Sequence, residues 1–274
     1  MIRLLLSYTS LMTTPITHFK RIERKYLLTL AQKNLLLEEF SDELLPDTYG
    51  TGNGVYKVEN IYYDTLDLQF YNEKNTKTHG HKKLRIRRYF EEDGAFQKDS
   101  KVFIEIKEKI DHVTVKRRIA MNYKDAIRLV EQGILPEMST DTDIISEIHG
   151  LARYYNLKPQ ALTSYERQAF FGKTDPKLRL TFDTDVTFKR KDITLGEKKK
   201  KDGNIVDTRT TILEVKANGS IPESLQTFFE KNNIAPVRIS KYDTAIEKSE
   251  NTISSLGKMY AQPRSQYNYS LSLA

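Results

Sequence analysis

The sequence contains no cysteine. A disulfide framework, a zinc–thiolate centre and a cysteine nucleophile are therefore excluded, and a cytoplasmic location is the default for a chain that needs no oxidative cross-link. Long apolar runs are missing too. The longest near the start is Leu4-Leu5-Leu6, followed by Ser7, Tyr8 and Thr9, well short of a signal-peptide core or of the roughly 20 residues of a membrane span. The 12 glycines and 8 prolines nowhere gather into a linker, and no internal period recurs, so the chain reads as one domain.

At 274 residues the chain can bury a core without staples. Its 44 Lys and Arg against 37 Asp and Glu leave a net charge of +7, which favours a polyanionic partner without choosing among nucleic acid, membrane and phosphate. Residues 1–17 read as an irregular lead-in, 18–250 as the folded domain, and 251–274 as a tail that turns Tyr-, Ser- and Gln-rich beyond Ser254. Period-2 alternation predicts strands over Arg24–Leu28, Val55–Tyr63, Lys83–Tyr89, Val102–Lys109, Val113–Met121, Lys177–Val186 and Ile205–Val215. Helical spacing marks Lys33–Leu45, Tyr123–Gln132, Thr142–Tyr155, Pro222–Asn232 and Ser240–Ser249. Tight turns are expected at Asp93-Gly94, Asp202-Gly203 and Asn218-Gly219. Strands and helices do not alternate strictly, so the expected class is α+β: an antiparallel sheet or barrel with helices packed around the outside.

The placement of charge within the strands is more informative. In Lys83-Leu84-Arg85-Ile86-Arg87 the pleat sends Lys83, Arg85 and Arg87 to one face and Leu84 and Ile86 to the other. The same parity groups Glu105, Lys107 and Lys109 against Ile104 and Ile106. It sets Arg179, Thr181 and Asp183 against Leu178, Leu180 and Phe182, and Glu214 and Lys216 against Leu213 and Val215. One such strand is an ordinary amphipathic strand on a solvated sheet. Four of them, flanked by helices that must cover the apolar faces, turn their charged faces toward one another inside a barrel. Such an interior calls for a polyanion and a metal, because an unpaired buried charge is costly. On Val113–Met121, Lys116 and Arg118 share a face, and Arg118 is the candidate for the interior.

These residue types suit phosphoryl chemistry. Arg forks take phosphate oxygens in pairs, Lys supplies point charges, and a few carboxylates hold a divalent cation that bridges phosphates. A triphosphate matches this inventory. Transfer of its terminal group needs alignment and charge stabilisation, with no covalent nucleophile.

Eight segments in order carry a family resemblance: Ile22-Glu23-Arg24-Lys25-Tyr26, Ile61-Tyr62-Tyr63-Asp64-Thr65, Leu84-Arg85-Ile86-Arg87-Arg88-Tyr89, Phe103-Ile104-Glu105-Ile106-Lys107, Tyr165-Glu166-Arg167, Arg179-Leu180-Thr181-Phe182-Asp183, Ile212-Leu213-Glu214-Val215-Lys216 and Ser240-Lys241-Tyr242. Over Phe19 to Glu247 the chain resembles the VTC-type polyphosphate polymerase domains of the triphosphate tunnel metalloenzyme (CYTH-like) superfamily. The resemblance implies an eight-stranded antiparallel tunnel that binds ATP and inorganic polyphosphate or pyrophosphate with Mn²⁺ or Mg²⁺, and that extends polyphosphate from the terminal phosphate of ATP. It marks Lys25, Arg85, Arg87, Lys107, Arg167 and Arg179 as phosphate ligands, Lys241 and Arg238 as further contacts near the exit, and Glu214 as the metal carboxylate. With Lys216 and Arg118 from strand parity, these complete the candidate phosphate wall. Arg85, Arg87, Lys107, Arg179 and Glu214 are the candidate catalytic residues.

Triphosphatases and cyclases of the wider superfamily resemble a Glu-x-Glu-x-Lys signature, and here that register reads Arg21-Ile22-Glu23-Arg24-Lys25. One carboxylate fewer and one cation more suit a long anion better than a metal-activated water. A triphosphatase of the same fold and a non-catalytic polyphosphate-binding module are the alternatives. Glu23 is a second metal candidate, and for Glu105 ion pairing and metal contact rank equally. His79-Gly80-His81 lacks a third ligand and reads as solvated, as does the Lys198–Lys201 tip. Nucleic acid is not an expected partner, because no recognition motif accompanies the cations. The chain is expected not to span a membrane itself, while a membrane partner for the product stays compatible with it.

Overall fold

The computed structural model describes residues 21–260 except 51, 74–79, 91–95, 111–112, 138–141 and 197–199. The lead-in, residues 261–274 of the tail, the Asp93-Gly94 turn, His79, Lys198 and Lys199 lie outside the described residues. Strand β1 (Arg21–Thr29) runs into helix α1 (Leu30–Glu39). The start of α1 is a capping box: the Thr29 hydroxyl accepts from the Gln32 N–H, and the Gln32 side chain accepts from the Thr29 N–H. There follow β2 (Leu44–Pro46), β3 (Val55–Asp64), α2 (Gln69–Asn72), β4 (Gly80–Tyr89), β5 (Lys101–Ile110), β6 (Val113–Asn122), α3 (Tyr123–Ile127) with a π-helical turn (Arg128–Gln132), and α4 (Thr142–Tyr154). The chain continues through β7 (Lys158–Gly172), β8 (Arg179–Lys189), β9 (Gly203–Asn204), β10 (Thr210–Asn218), α5 (Glu223–Lys231), β11 (Pro236–Val237) and α6 (Lys241–Tyr260).

All pairings are antiparallel and the class is α+β, but the sheet departs from the expected closed eight-stranded barrel. Among the described residues it has eleven strands and is open, in the order β11-β1-β10-β8-β7-β3-β4-β5-β6, with β2 on β7 and β9 on β8. The additional strands are β2, β9 and β11, each of three residues or two. The ladder stops at β11 for a local reason. Only Lys25 and Tyr26 find partners there, in Val237 and Pro236. Pro236 has no N–H to offer, and the chain then turns into α6. Side chains reach where the ladder does not: Lys25 Nζ donates to the Ile239 carbonyl at 3.1 Å, and Lys83 Nζ donates to Ser240 Oγ at 2.8 Å.

Several elements differ from the sequence expectation, among them Gly203, which lies in β9 where a tight turn with Asp202 was expected. Helix α1 ends at Glu39, because Ser41 and Asp42 favour a turn over a helix interior and Leu44 then pairs with Gly172. The expected Ile205–Val215 strand begins only at Thr210, while Ile205 and Val206 are buried against the α6 side. Helix α6 continues past Ser254, where an irregular tail was expected. The 15-residue β7 was not anticipated at all. Its alternation is obscured because it is paired on both sides and because a bulge sets the register shift against β8, where Asp185 has φ 47°.

The apolar face of the sheet is covered in two places. α3, the π-turn and α4 pack on Leu84, Ile86, Ile104 and Ile106, whereas α1 and α5 pack on Leu180, Phe182, Leu213 and Val215. The first turns of α6 pack on the opposite face, where Tyr242 stacks on Tyr62 with ring centroids 5.2 Å apart. The Tyr242 hydroxyl donates to Asp64 at 2.6 Å. Asp64 is fully buried and also accepts from the backbone N–H groups of Thr65, Phe70 and Tyr71. Tyr242→Phe keeps the stack and removes one charge-assisted hydrogen bond, so urea unfolding should show a loss of about 1.5–3 kcal/mol. A loss below about 0.5 kcal/mol would mean that the hydroxyl does not tie α6 to β3.

Candidate functional site

Residues directly opposite in a ladder project to the same side of the sheet, so the register alone assembles a polar face. Lys25 opposes Glu214, and Glu214 opposes Thr181. Arg167 opposes Asp183 on one side and Tyr56 on the other. Asn60 and Tyr62 oppose Arg87 and Arg85, Arg85 opposes Glu105, and Glu105 opposes Arg118. The next residue of each strand faces the other way. Arg88 lies between the rings of Phe90 and Phe96, 3.6 Å from Glu59, and Arg117 pairs with Glu147 of α4. The polar face curls: the charge of Lys107 on β5 acts on Lys25 of β1, far from it in the strand order, and helix α6 bridges β8 and β4. Lys241 of α6 reaches Asp183 of β8, and Lys83 of β4 reaches Asp243 of α6, each at 2.5 Å.

Three clusters form on this face, each around a carboxylate. Glu105 is 2% exposed and accepts from Arg85 Nε and Nη2 at 2.8 and 2.5 Å. Lys116 stands 3.0 Å from its other oxygen and Arg87 stands 3.9 Å away. Arg85 also donates to the Tyr62 hydroxyl at 3.0 Å, and Arg87 donates to Asn60 Oδ1 and to the hydroxyls of Tyr89 and Tyr165. Asp183 accepts a bidentate pair from Arg167 at 2.6 and 2.8 Å, besides the bond from Lys241. Glu214 accepts from Lys216, and Lys25 Nζ lies 3.8 Å from its second oxygen. Glu23 stands 3.9 Å from both of those ammonium groups.

Burial pushes the carboxyl groups up, and the cations override it. Arg85, Arg87 and Lys116 hold Glu105 well below the usual carboxylate range. Arg167 and Lys241 bring Asp183 down to about 2. Lys216, Lys25 and Arg167 hold Glu214 low as well. Burial lowers Lys25, and the nearby charges of Lys241 and Lys107 lower it further against the pull of Glu214. Burial would raise Tyr62, but Arg85, Arg87 and Lys241 outweigh it and lower the phenol.

The sequence-predicted residues divide accordingly. Arg85 and Arg87 meet at Glu105, Arg167 and Lys241 meet at Asp183, and Lys25, Lys216 and Glu23 surround Glu214. Lys107 is exposed on the same face, and Arg118 is exposed with its guanidinium 4.8 Å from the centre of the Phe103 ring. Arg179 is turned toward Asp47, 2.8 Å away, and Arg238 is exposed on the segment before α6. Sequence reasoning placed Glu105, Asp183 and Lys83 on this face; it ranked ion pairing and metal contact equally for Glu105, which here pairs with Arg85 and Lys116, and gave Asp183 and Lys83 no site role. Asn60, Tyr62 and Tyr165 were not linked to the arginines, because their strand partners are not readable from spacing. Among the described residues no group of three His, Asp or Glu converges. Glu214 and Glu23, flanking the same two ammonium groups, fit a hard cation that takes one or two carboxylates and completes its shell with phosphate oxygens and water.

A family model, that of the VTC domain, matches residues 20–249. Among solved structures, a candidate adenylyl cyclase from Hippeastrum with a dominant triphosphatase activity is 14% identical, with 83% of this chain and 96% of that one covered and a TM-score of 0.50. A candidate adenylate cyclase from Bacillus halodurans is 16% identical over 80% of this chain and 93% of that one, with a TM-score of 0.45. At 14% identity the likeness to the Hippeastrum protein is one of fold. No curated protein matches the sequence.

The Asp183 cluster makes stability depend on acid. Its folded value of about 2 lies below the ordinary carboxylate value, so its contribution is complete above about pH 4 and is lost as pH falls toward 2. That contribution is on the order of 2 kcal/mol. Denaturant unfolding of wild type and Asp183→Asn at pH 7 and pH 3 should show a shallower loss on acidification in the variant. Equal slopes would mean that this pair does not couple to folding.

Proposed function

Because the chain belongs to the VTC-domain family, we propose that it is a polyphosphate polymerase, passing the terminal phosphoryl group of ATP to the end of an inorganic polyphosphate chain held along the curled cationic face. The observation that supports this most directly is the set of buried or partly buried guanidinium and ammonium groups, Arg85, Arg87, Arg167 and Lys241, on one polar face. In the transfer, an oxygen of the chain end bonds to the γ-phosphorus as the bond from γ-phosphorus to the β–γ bridging oxygen breaks, and ADP leaves with that oxygen. Arg85 and Arg87 balance charge on the moving group, with Lys107 and Arg179 on its approach. Lys25, Arg167, Lys216 and Lys241 align the neighbouring phosphates, while the exposed Arg118 and Arg238 meet the chain at the rim. Mn²⁺ or Mg²⁺, when held by Glu214 with Glu23 and the substrate oxygens, neutralises phosphate charge.

Transfer to phosphate is preferred over hydrolysis because β1 begins with Arg21 where the triphosphatase signature has its first Glu. Purified protein given ATP and Mn²⁺ should form long-chain polyphosphate that resolves on a gel, with free phosphate minor. Free phosphate as the sole product assigns a triphosphatase, as in the Hippeastrum protein, and binding without turnover assigns a binding module.

Glu214→Gln keeps the shape and removes the negative charge. Turnover should fall at least about a hundredfold, a loss of about 3 kcal/mol of transition-state stabilisation, while metal-free nucleotide affinity holds or rises. Turnover within a few-fold of wild type at saturating Mn²⁺ would make Glu214 an ion-pair partner only.

A further inference from the structure

Glu105 and Asp183 have no part in the roles assigned above, yet they occupy the guanidinium forks of the phosphate wall. Glu105 fills Arg85 and Asp183 fills Arg167, each through two N–H donors. Both acids are at most 2% exposed. Each is the direct ladder partner of its arginine, so strand pairing fixes its backbone opposite the guanidinium and the carboxylate stays within reach when another anion arrives. Satisfying a buried guanidinium does not require a carboxylate on this face. Arg87 makes its hydrogen bonds to neutral groups, the amide oxygen of Asn60 and the hydroxyls of Tyr89 and Tyr165, with Glu105 no closer than 3.9 Å.

A phosphate oxygen entering the fork of Arg85 or Arg167 therefore displaces a carboxylate oxygen that remains close by. In a poorly screened interior the two anions repel. We propose that Glu105 and Asp183 are internal counter-anions that compete with polyphosphate for Arg85, Lys116, Arg167 and Lys241 and keep the chain loosely held, so that it advances after each transfer. The proposal rests on the polyphosphate reading of the face. A wall without competing acids would hold the resting chain too tightly, and binding that stabilises the ground state raises the barrier to the next step.

Calorimetric titration with inorganic tripolyphosphate, without metal, on wild type, Glu105→Gln and Asp183→Asn tests this apart from turnover. Each variant keeps an acceptor oxygen, and each folded variant should bind about tenfold more tightly than wild type. With ATP and Mn²⁺, kcat and KM should fall together, the signature of a relieved ground-state penalty; a purely structural acid would lower the melting temperature without a gain in affinity. The two acids lie on different strand pairs, so if one variant does not fold the other decides. Unchanged or weaker tripolyphosphate binding by a folded variant overturns the proposal while the polyphosphate reading stands. Absence of binding by wild type overturns both.

Discussion

A dense row of cations can be kept on one face of a sheet only if each finds an oxygen, because like charges in a poorly solvated space repel strongly. The architecture follows this constraint. Acids stand opposite or beside the cations in the ladder, as Glu105 does to Arg85, Asp183 to Arg167 and Glu214 to Lys25. Where the acid stands too far for a hydrogen bond, neutral groups supply it, as Asn60 and Tyr165 do for Arg87, 3.9 Å from Glu105. The residual charge is positive, since Lys107, Arg118 and Arg238 are exposed. Compensation inside with excess cation outside suits a site that must fold while empty and still draw in a polyanion.

Compensation also explains the position of α6. Its first turn carries Lys241 to Asp183 and Asp243 to Lys83, and Tyr242 closes the hydrogen-bonding capacity of the buried Asp64. The helix joins the two arms of an open sheet by side-chain bonds at the place where Pro236 ends the backbone ladder. The same few residues thus link the arms and arrange the cations, so changes in this turn should be felt in both stability and site geometry.

In the proposed polyphosphate role, binding and release on this face pull against each other. Each phosphate group requires several donors, and Arg85, Arg167, Lys216 and Lys241 are already engaged with carboxylate oxygens of the protein. An entering anion exchanges one partner for another, which keeps the net gain small compared with the strength of the individual contacts. Such exchange favours a ligand that moves along the face over one that is trapped on it.

Strand parity was legible in the sequence, because the period of two is a property of the backbone alone. It assigned Arg85, Arg87, Lys107, Glu105, Arg179 and Glu214 to one face, and the apolar residues between them to the helix-covered side. The ordered motifs named the family. The sequence did not reveal β7, whose pairing on both sides and bulge hide its alternation, nor that the ladder would stop at Pro236 instead of closing. It also could not say that Arg179 turns to Asp47, or that Asp183 sits between Arg167 and Lys241, 58 residues away from the latter along the chain. Parity says which side a residue faces, whereas its partner depends on register and on contacts between distant segments, and only the folded chain decides those.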